Sequence, residues 1–514
     1  MPAIIKRLSP YKKRTLLLIA GFFVVRCVFA LVLELGNDEA YYWLYSQKIQ
    51  WNYFDHPPIV AVWARLFTAN LWLDHHEFFL RFGSIIACAF SGWFLFKTVS
   101  LLHSERAGFF AACLYNASFY AGLTAGIYLL PDSPQMVFWT FSMWMIARVS
   151  LNENNWTSWI VFGIAAGLCI MSKIHGAFIW TGMVAFILLQ KRIWLAKPQL
   201  YVALGLTILI TSPIILWNIQ YDFITYQFHS ARVTIDKSYF QDFSLFKEIA
   251  QQVIWNNPFN VALILLGLVS FYRRQVKRLT AITIYQFIGL PLALILLFFS
   301  IFRDTILIHW NGPAYVSLLP LAAIYLANIN KKDVFPIWLR LSAGTFIVAL
   351  IGWIITVHFY PGTWGSKNKD NLGYGDISLD LYGWRDAAEQ FNIFYKNEVN
   401  IGIAPSNTPL ICTYWWGAHI EYYFSRPYNI KMIGLGEVNQ LRHYYWVNGW
   451  RKDSVNLNTS YFIIPSDENH KLPTSFYKTI ELATIIETKR NNQPAHNFRV
   501  YRLKGWNGVL PVQP

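Results

Sequence analysis

Apolar runs dominate the first 357 residues, and short basic or turn-forming clusters separate them. The runs lie at 15–35, 78–101, 106–126, 134–150, 157–172, 174–190, 199–217, 257–272, 279–301, 308–328 and 337–357. Several reach the roughly 20 apolar residues that carry a helix across a bilayer. The pattern predicts an α-helical polytopic membrane protein with about 11 transmembrane helices. No small-x-small cleavage site follows the first run and further spans come after it, so it is expected to be retained rather than removed as a signal sequence. The stretch "PPIVAVWARLFTANLWL" is too short to span comfortably and is expected to lie along the interface.

After residue 357 the pattern changes. "ISLDLY", "PLICTYWW", "SYFIIPS" and "NFRVYRL" read as short strands, and "WRDAAEQFNIFYKN" reads as a helix. The chain is therefore expected to divide into a transmembrane domain, 1–357, with a first outer loop at 36–77, and a soluble α/β domain, 358–514. No internal repeat or low-complexity tract is visible.

Composition sharpens this picture. Only 14% of residues are charged while 55% are hydrophobic, against roughly 25% charged in soluble domains. A net charge of +15 would suggest nucleic acid in a soluble protein, but here the basic residues cluster between apolar runs, as lipid headgroups and topology demand. Lys6, Arg7, Lys12, Lys13 and Arg14 should hold the N-terminus in the cytoplasm. Alternating inner loops then contain Arg106, Arg148, Lys191–Arg192, Arg273–Arg274 and Lys331–Lys332, which places the tail outside. Four of the five cysteines fall inside spans, so no disulfide framework is expected.

The outer face receives the polar chemistry. Asp38 and Glu39 emerge from the first span in "NDEAYYWLYSQKIQWNYFDHPP". Asp132 lies in "LLPDSP", Lys173 in "MSKIHG", and Arg303 and His309 in "FRDTILIHWNGP". Charges at span ends are costly and tend to mark function. Carboxylates beside cations suit an anionic substrate whose reaction needs a base.

These motifs, with "SPIILWNIQYDF", "DLYGWRDAAEQF" and "CTYWWGAHIEYYF", resemble the bacterial GT-C glycosyltransferases. The nearest branch is family 39, the protein O-mannosyltransferase and aminoarabinose (lipid A) transferase-like group. The resemblance covers most of residues 10–330. It implies a GT-C fold and transfer of a sugar, with inversion, from a polyprenyl-phosphate carrier on the outer face of the inner membrane. Lipid A, a protein or a surface glycan would supply the acceptor hydroxyl or phosphate. The resemblance matches Asp38 to the family's catalytic carboxylate, which would act as the base, with Glu39 as its support. Lys173 is the first choice for the carrier phosphate. His56 stands where relatives more often have Lys before the proline pair, which puts its charge in question. Arg303, His309 and Arg81 are further phosphate candidates, and Asp132 would orient the acceptor or the sugar hydroxyls. His175 and Arg232 read as structural.

No metal-ligand spacing is evident, and no cofactor is expected to be required, although a divalent metal stays open. A transporter or lipid flippase is the alternative, disfavoured because the polar groups gather at span ends rather than at a midplane between repeated halves.

Overall fold

A computed structural model of the chain describes residues 8–231, 244–274, 279–300, 302, 308–330, 334–415, 417–451, 455–468, 472–508 and 510. Arg303, Arg232 and several of the loop basics (Lys6, Arg7, Lys277, Arg278, Lys331, Lys332) lie outside these residues. The chain forms two compact units. One comprises Met1–Ala30, Ile49–Asn70 and Phe78–Ala349; the other comprises Leu31–Lys48, Leu71–Glu77 and Leu350–Pro514. This differs from a division at 357, because two pieces of the expected first outer loop fold with the C-terminal segment.

The helices, in order, are α1 Pro10–Val32, α2 Asn37–Ser46, α3 Ile59–Phe67, α4 Glu77–Leu102, α5 Glu105–Asn116, α6 Asp132–Leu151, α7 Trp156–Ser172 and α8 Ala177–Gln190. They continue with α9 Pro198–Gln220, α10 Ile224–Ala231, α11 Ser244–Trp255, α12 Pro258–Tyr272, α13 Thr280–Ser300, α14 Gly312–Ile329, α15 Ile337–Phe359 and α16 Trp384–Asn400, followed by the shorter Gly417–Ile420, Val438–Leu441 and Tyr444–Arg451. Every expected apolar run is largely helical. Among the described residues six helices are long and apolar enough to cross a membrane, or seven if α11 and α12, bent by 102°, count as one span. The expected eleven included shorter apolar runs such as α7 and α8, which fall below that length.

Burial separates lipid-facing helices from central ones. The apolar windows of α1, α9 and α15 are only 28%, 28% and 22% buried, whereas that of α14 is 72% buried. Water does not drive helix association inside a bilayer, so close backbone approach and buried polar contacts do. A Cβ on Gly163 of α7 would sit 2.3 Å from the Ala203 carbonyl oxygen of α9, and one on Gly182 of α8 would lie 2.7 Å from Ile288 backbone. Thr207 adds polar glue, donating to Gly163 O at 2.8 Å while accepting from Trp180 Nε1 at 3.0 Å.

The expected span 106–126 is not one continuous helix. α5 stops at Asn116 and a π-turn follows at Tyr120–Thr124. The break exposes carbonyls that need donors, and Arg26, buried within α1, supplies them. Its Nε lies 2.9 Å from Gly122 O and its Nη1 lies 3.0 Å from Asn116 Oδ1.

In the second unit a five-stranded sheet runs in the order β2-β1-β3-β5-β4, with β1 Leu410–Cys412, β2 Met432–Gly434, β3 Thr459–Pro465, β4 Tyr477–Arg490 and β5 Gln493–Trp506. β1 pairs parallel with β2 and β3, and β3, β5 and β4 pair antiparallel. Asn491 and Asn492, with φ of 47° and 62°, make the two-residue hairpin turn between β4 and β5. "ISLDLY" is a 3-10 turn rather than a strand. Asp376 captures it: one carboxylate oxygen accepts from Ser378 N at 3.0 Å, while the other meets Arg490 Nη2 at 2.8 Å. That local capping outcompetes strand pairing.

Segment 31–48 is tied into this unit by polar contacts. Glu34 accepts from the first two N–H groups of α16, Trp384 N at 2.8 Å and Arg385 N at 3.1 Å. A carboxylate at a helix N-terminus satisfies orphan donors and meets the positive end of the dipole.

Candidate active site

In the helical unit, Lys173 occupies the C-cap of α7, where the chain turns into the short 3-10 segment Ile174–Gly176. The turn is tight enough to need glycine: a Cβ on Gly176 would meet Cys169 and Ile170 backbone at 2.6 Å. The Lys173 ammonium lies 2.9 and 2.8 Å from the two oxygens of Asp132, the first residue of α6. Tyr120 completes the cluster, donating to Asp132 Oδ1 at 3.0 Å. Gly312 makes room for that tyrosine, since a Cβ there would fall 2.1 Å from the Tyr120 ring. Thus "LLPDSP", "MSKIHG" and "IHWNGPAY" converge on one buried group of side chains.

Histidines surround the pair. His309 lies within electrostatic range of Asp132, and His175 within range of Lys173, Asp132, His229 and His309. The His175 ring packs 5.1 Å from Trp310, and its Nδ1 is buried without a hydrogen-bond partner among the described residues. The His56 ring lies 5.8 Å from that of His229, whose Nε2 sits 2.6 Å from Asp55 O. Arg81 is fully enclosed, with Nη1 3.4 Å from Ala30 O and the guanidinium over the Tyr128 ring at 5.7 Å.

The second unit holds the acidic pair. Asp38 and Glu39 are in the first turn of α2, Asp38 exposed and Glu39 2% exposed. Glu39 bends back to accept from Gly36 N at 3.0 Å, capping its own helix. Asp380 joins them: its Oδ1 accepts from Asn37 N at 3.0 Å, and Gly36 leaves it space, for a Cβ there would lie 2.7 Å from Asp380 Oδ2. His419 donates from Nδ1 to Asn37 Oδ1 at 2.8 Å. Burial lowers His419 to about 3, so its imidazole is neutral. The Asp380 side chain is 39% exposed, and partial desolvation raises its carboxyl above the usual carboxylate range; the Asn37 N–H opposes this, and the charges of Asp38, Asp467 and Glu39 add to it. The N-terminus of α2 therefore gathers three carboxyl groups, Asp38, Glu39 and Asp380.

Of the residues expected from sequence, Lys173, Asp132 and His309 share one neighbourhood of the helical unit, while Asp38 and Glu39 share another with Asp380 in the second unit. Tyr120, His229 and Asp380 went unnoticed. Tyr120 and His229 are ordinary residues of helical segments, and Asp380 lies in a stretch whose alternation reads as a strand. Among the described residues no group of three or more His, Cys, Asp or Glu is placed to hold a metal.

Residues 55–217 match the family described as dolichyl-phosphate-mannose-protein mannosyltransferase. An undecaprenyl phosphate-alpha-4-amino-4-deoxy-L-arabinose arabinosyl transferase of Proteus mirabilis is 27% identical over 176 residues, covering 30% of this chain and 31% of that protein. Lipid A galacturonosyltransferase RgtD of Rhizobium johnstonii is 24% identical over 212 residues, covering 40% of this chain and 44% of its own length. The matched region thus spans less than half of either relative. The fold likeness is longer. Apo ArnT from Cupriavidus metallidurans superposes with a TM-score of 0.61 at 13% identity, covering 95% of this chain and 98% of that one. The same enzyme bound to undecaprenyl phosphate gives 0.57 at 14% identity, covering 97% and 99%. Residues 55–217 are thus similar to that mannosyltransferase family and to parts of an aminoarabinose and a lipid A transferase, and the chain has the fold of ArnT.

Proposed function

We propose that this protein is an inverting glycosyltransferase of the inner membrane. It moves a hexosyl or pentosyl group from a polyprenyl-phosphate carrier to an acceptor hydroxyl or phosphate on the outer face. The carrying observation is the exposed Asp38 carboxylate at the N-terminus of α2, flanked by the capping Glu39 and by Asp380, on a GT-C fold. The name of one relative, lipid A galacturonosyltransferase, puts lipid A first among acceptors, ahead of a protein or a surface glycan.

In this reading Asp38 accepts the acceptor's proton while the acceptor oxygen bonds to the anomeric carbon. The bond from that carbon to the carrier phosphate breaks, and the electron pair leaves with polyprenyl phosphate. Developing charge on the leaving group calls for fixed cations. Lys173 serves first, with His56, His309, Arg303 and Arg81 as supporting candidates. Asp132, expected to orient acceptor or sugar hydroxyls, also fixes the Lys173 ammonium. No step needs a cofactor; were a divalent ion required, Asp38 would hold it and the ion would offset charge on the leaving phosphate, and dialysis against EDTA separates the two readings. The N-terminus would be cytoplasmic and the second unit periplasmic or extracytoplasmic. The transporter alternative has no observation on its side.

The test is lipid mass spectrometry of a deletion strain. The reading expects an accumulated polyprenyl-phosphate sugar and an acceptor lacking that sugar, both reversed by the wild-type gene. An unchanged carrier pool and acceptor would overturn it.

A further inference from the structure

A cavity of about 480 Å3 opens in the second unit, within the ~300–1,000 Å3 common for small-ligand sites. Arg385 and Arg426 lie in its wall, each fastened by a buried carboxylate. Arg385 makes two hydrogen bonds to Glu77, and Arg426 Nη2 lies 2.6 Å from Asp74 Oδ1. Those carboxylates are held in turn: Tyr423 donates to Glu77 at 2.8 Å and Trp43 Nε1 to Asp74 at 2.9 Å. The carboxylates are 2% exposed while the Arg385 and Arg426 side chains are 54% and 39% exposed. Arg385 Nη1 and Arg426 Nε and Nη1 have no protein partner among the described residues. The result is a set of donors held rigidly in a cleft.

Charge decides what those donors suit. Asp74, Glu77 and the exposed Glu389 outnumber the two guanidiniums, so the carboxylates of the lining exceed its fixed cations by one. A phosphate or carboxylate ligand would meet that excess; a polyhydroxylated neutral ring would not. The same wall holds Trp72, whose side chain is 78% exposed. Leu71, immediately before it, has a φ of 71°, a conformation disfavoured for a branched residue. Strain of this kind clusters at ligand sites, and here it holds an indole at the edge of a polar cleft. Aromatic faces with planar polar groups around them bind sugar rings, apolar face to the aromatic and hydroxyls to the polar groups.

We propose that this cleft binds an uncharged saccharide ring of the acceptor, stacked on Trp72 with its hydroxyls on Arg385, Arg426 and Glu389. Assigning the saccharide to the acceptor rests on the transferase reading; the preference for a neutral sugar does not.

Saturation-transfer NMR on the full chain in detergent tests it, with maltose and N,N′-diacetylchitobiose as probes and inorganic phosphate as competitor. Expected is transfer to ring protons of at least one disaccharide, undiminished by phosphate, at least tenfold weaker in Trp72→Ala and retained in Trp156→Ala. Glu389→Gln, an exposed change outside the ion pairs, should weaken the signal too and serves if Trp72→Ala fails to fold. In sugar-transfer assays the Trp72→Ala effect should fall on the acceptor KM more than on kcat. No transfer in the wild type, full binding by both variants, or displacement by phosphate would each overturn the proposal. Binding is read without donor, so a failure of sugar transfer and a failure of this cleft are separate results.

Discussion

Both carboxylate oxygens of Asp132 accept from the Lys173 ammonium, at 2.9 and 2.8 Å, and each side chain is only 3% exposed. The cation expected to meet the carrier phosphate is thus already paired with a carboxylate, and any phosphate must share it with Asp132. Charges this deep interact strongly, but their desolvation offsets much of the gain. Position, rather than net stabilisation, is what such a pair provides best.

Removing one partner should cost more than removing both. Lys173→Met or Asp132→Asn alone leaves an uncompensated buried group, and each should lower stability by about 3–5 kcal/mol. The double variant should recover much of that in thermal unfolding while sugar transfer stays low. Transfer that returns along with the fold would take Lys173 out of the donor site.

Asp38→Asn keeps the size and hydrogen bonding of the side chain and removes its basicity. Positioned bases contribute about 10²–10⁴-fold, so transfer from a synthetic polyprenyl-phosphate donor should fall by that order with donor binding retained. Glu39→Gln weakens a cap to Gly36 N, an effect of about 0.5–2 kcal/mol on the helix, and should cost less activity. A larger kinetic loss in Glu39→Gln would move the base one residue along.

His56 tests the phosphate site from another side. If it contacts phosphate, His56→Lys should preserve turnover better than His56→Ala, because a fixed charge replaces a titrating one. Equal losses in both would place His56 outside the donor site.

The second unit should lose stability as the medium becomes alkaline. Asp380 is raised to about 8 and Glu468 to about 7, both mainly by partial desolvation, whereas unfolded carboxyls titrate near ~4. The folded state then holds these protons more tightly. Their contribution is present in acid and is lost as pH rises through about 7 and about 8. Melting temperatures in detergent from pH 5 to 9 should fall, and Asp380→Asn should flatten the slope. An identical slope in that variant would refute the assignment.

Arg490 and Asp376, both with fully buried side chains, pair at 2.8 Å, and Arg490 also donates to Gly362 O at 2.8 Å and Ser378 Oγ at 2.7 Å. Asp376→Asn should destabilise the unit by about 3–5 kcal/mol. Limited proteolysis of the second unit, compared with wild type, checks this; unchanged protection would show that the network is not needed.

Reporter fusions at residues 195, 275 and 332 should read cytoplasm, and one after 400 the outer side. A cytoplasmic signal from the C-terminal segment would reverse the proposed orientation.

The sequence by itself determined the membrane class and the order of helices, because an apolar run of bilayer length has few other solutions. It also isolated the motifs around Asp38, Asp132 and Lys173, since a charge at a span end stands out against an apolar background. Strands β3 and β5 and helix α16 were legible from alternation and period, which are local properties. Only the tertiary structure decided the partnerships. The Lys173–Asp132 pair joins α7 to α6, Arg26 serves carbonyls freed by a break in α5, and Asp380 reaches Asn37 across 343 positions of sequence. It also decided that "ISLDLY" forms a capped turn, because Arg490 of β4 secures Asp376 from a distance. Local patterning specifies which face of an element is apolar; which polar groups meet depends on how faces pack, and no short window of sequence contains that.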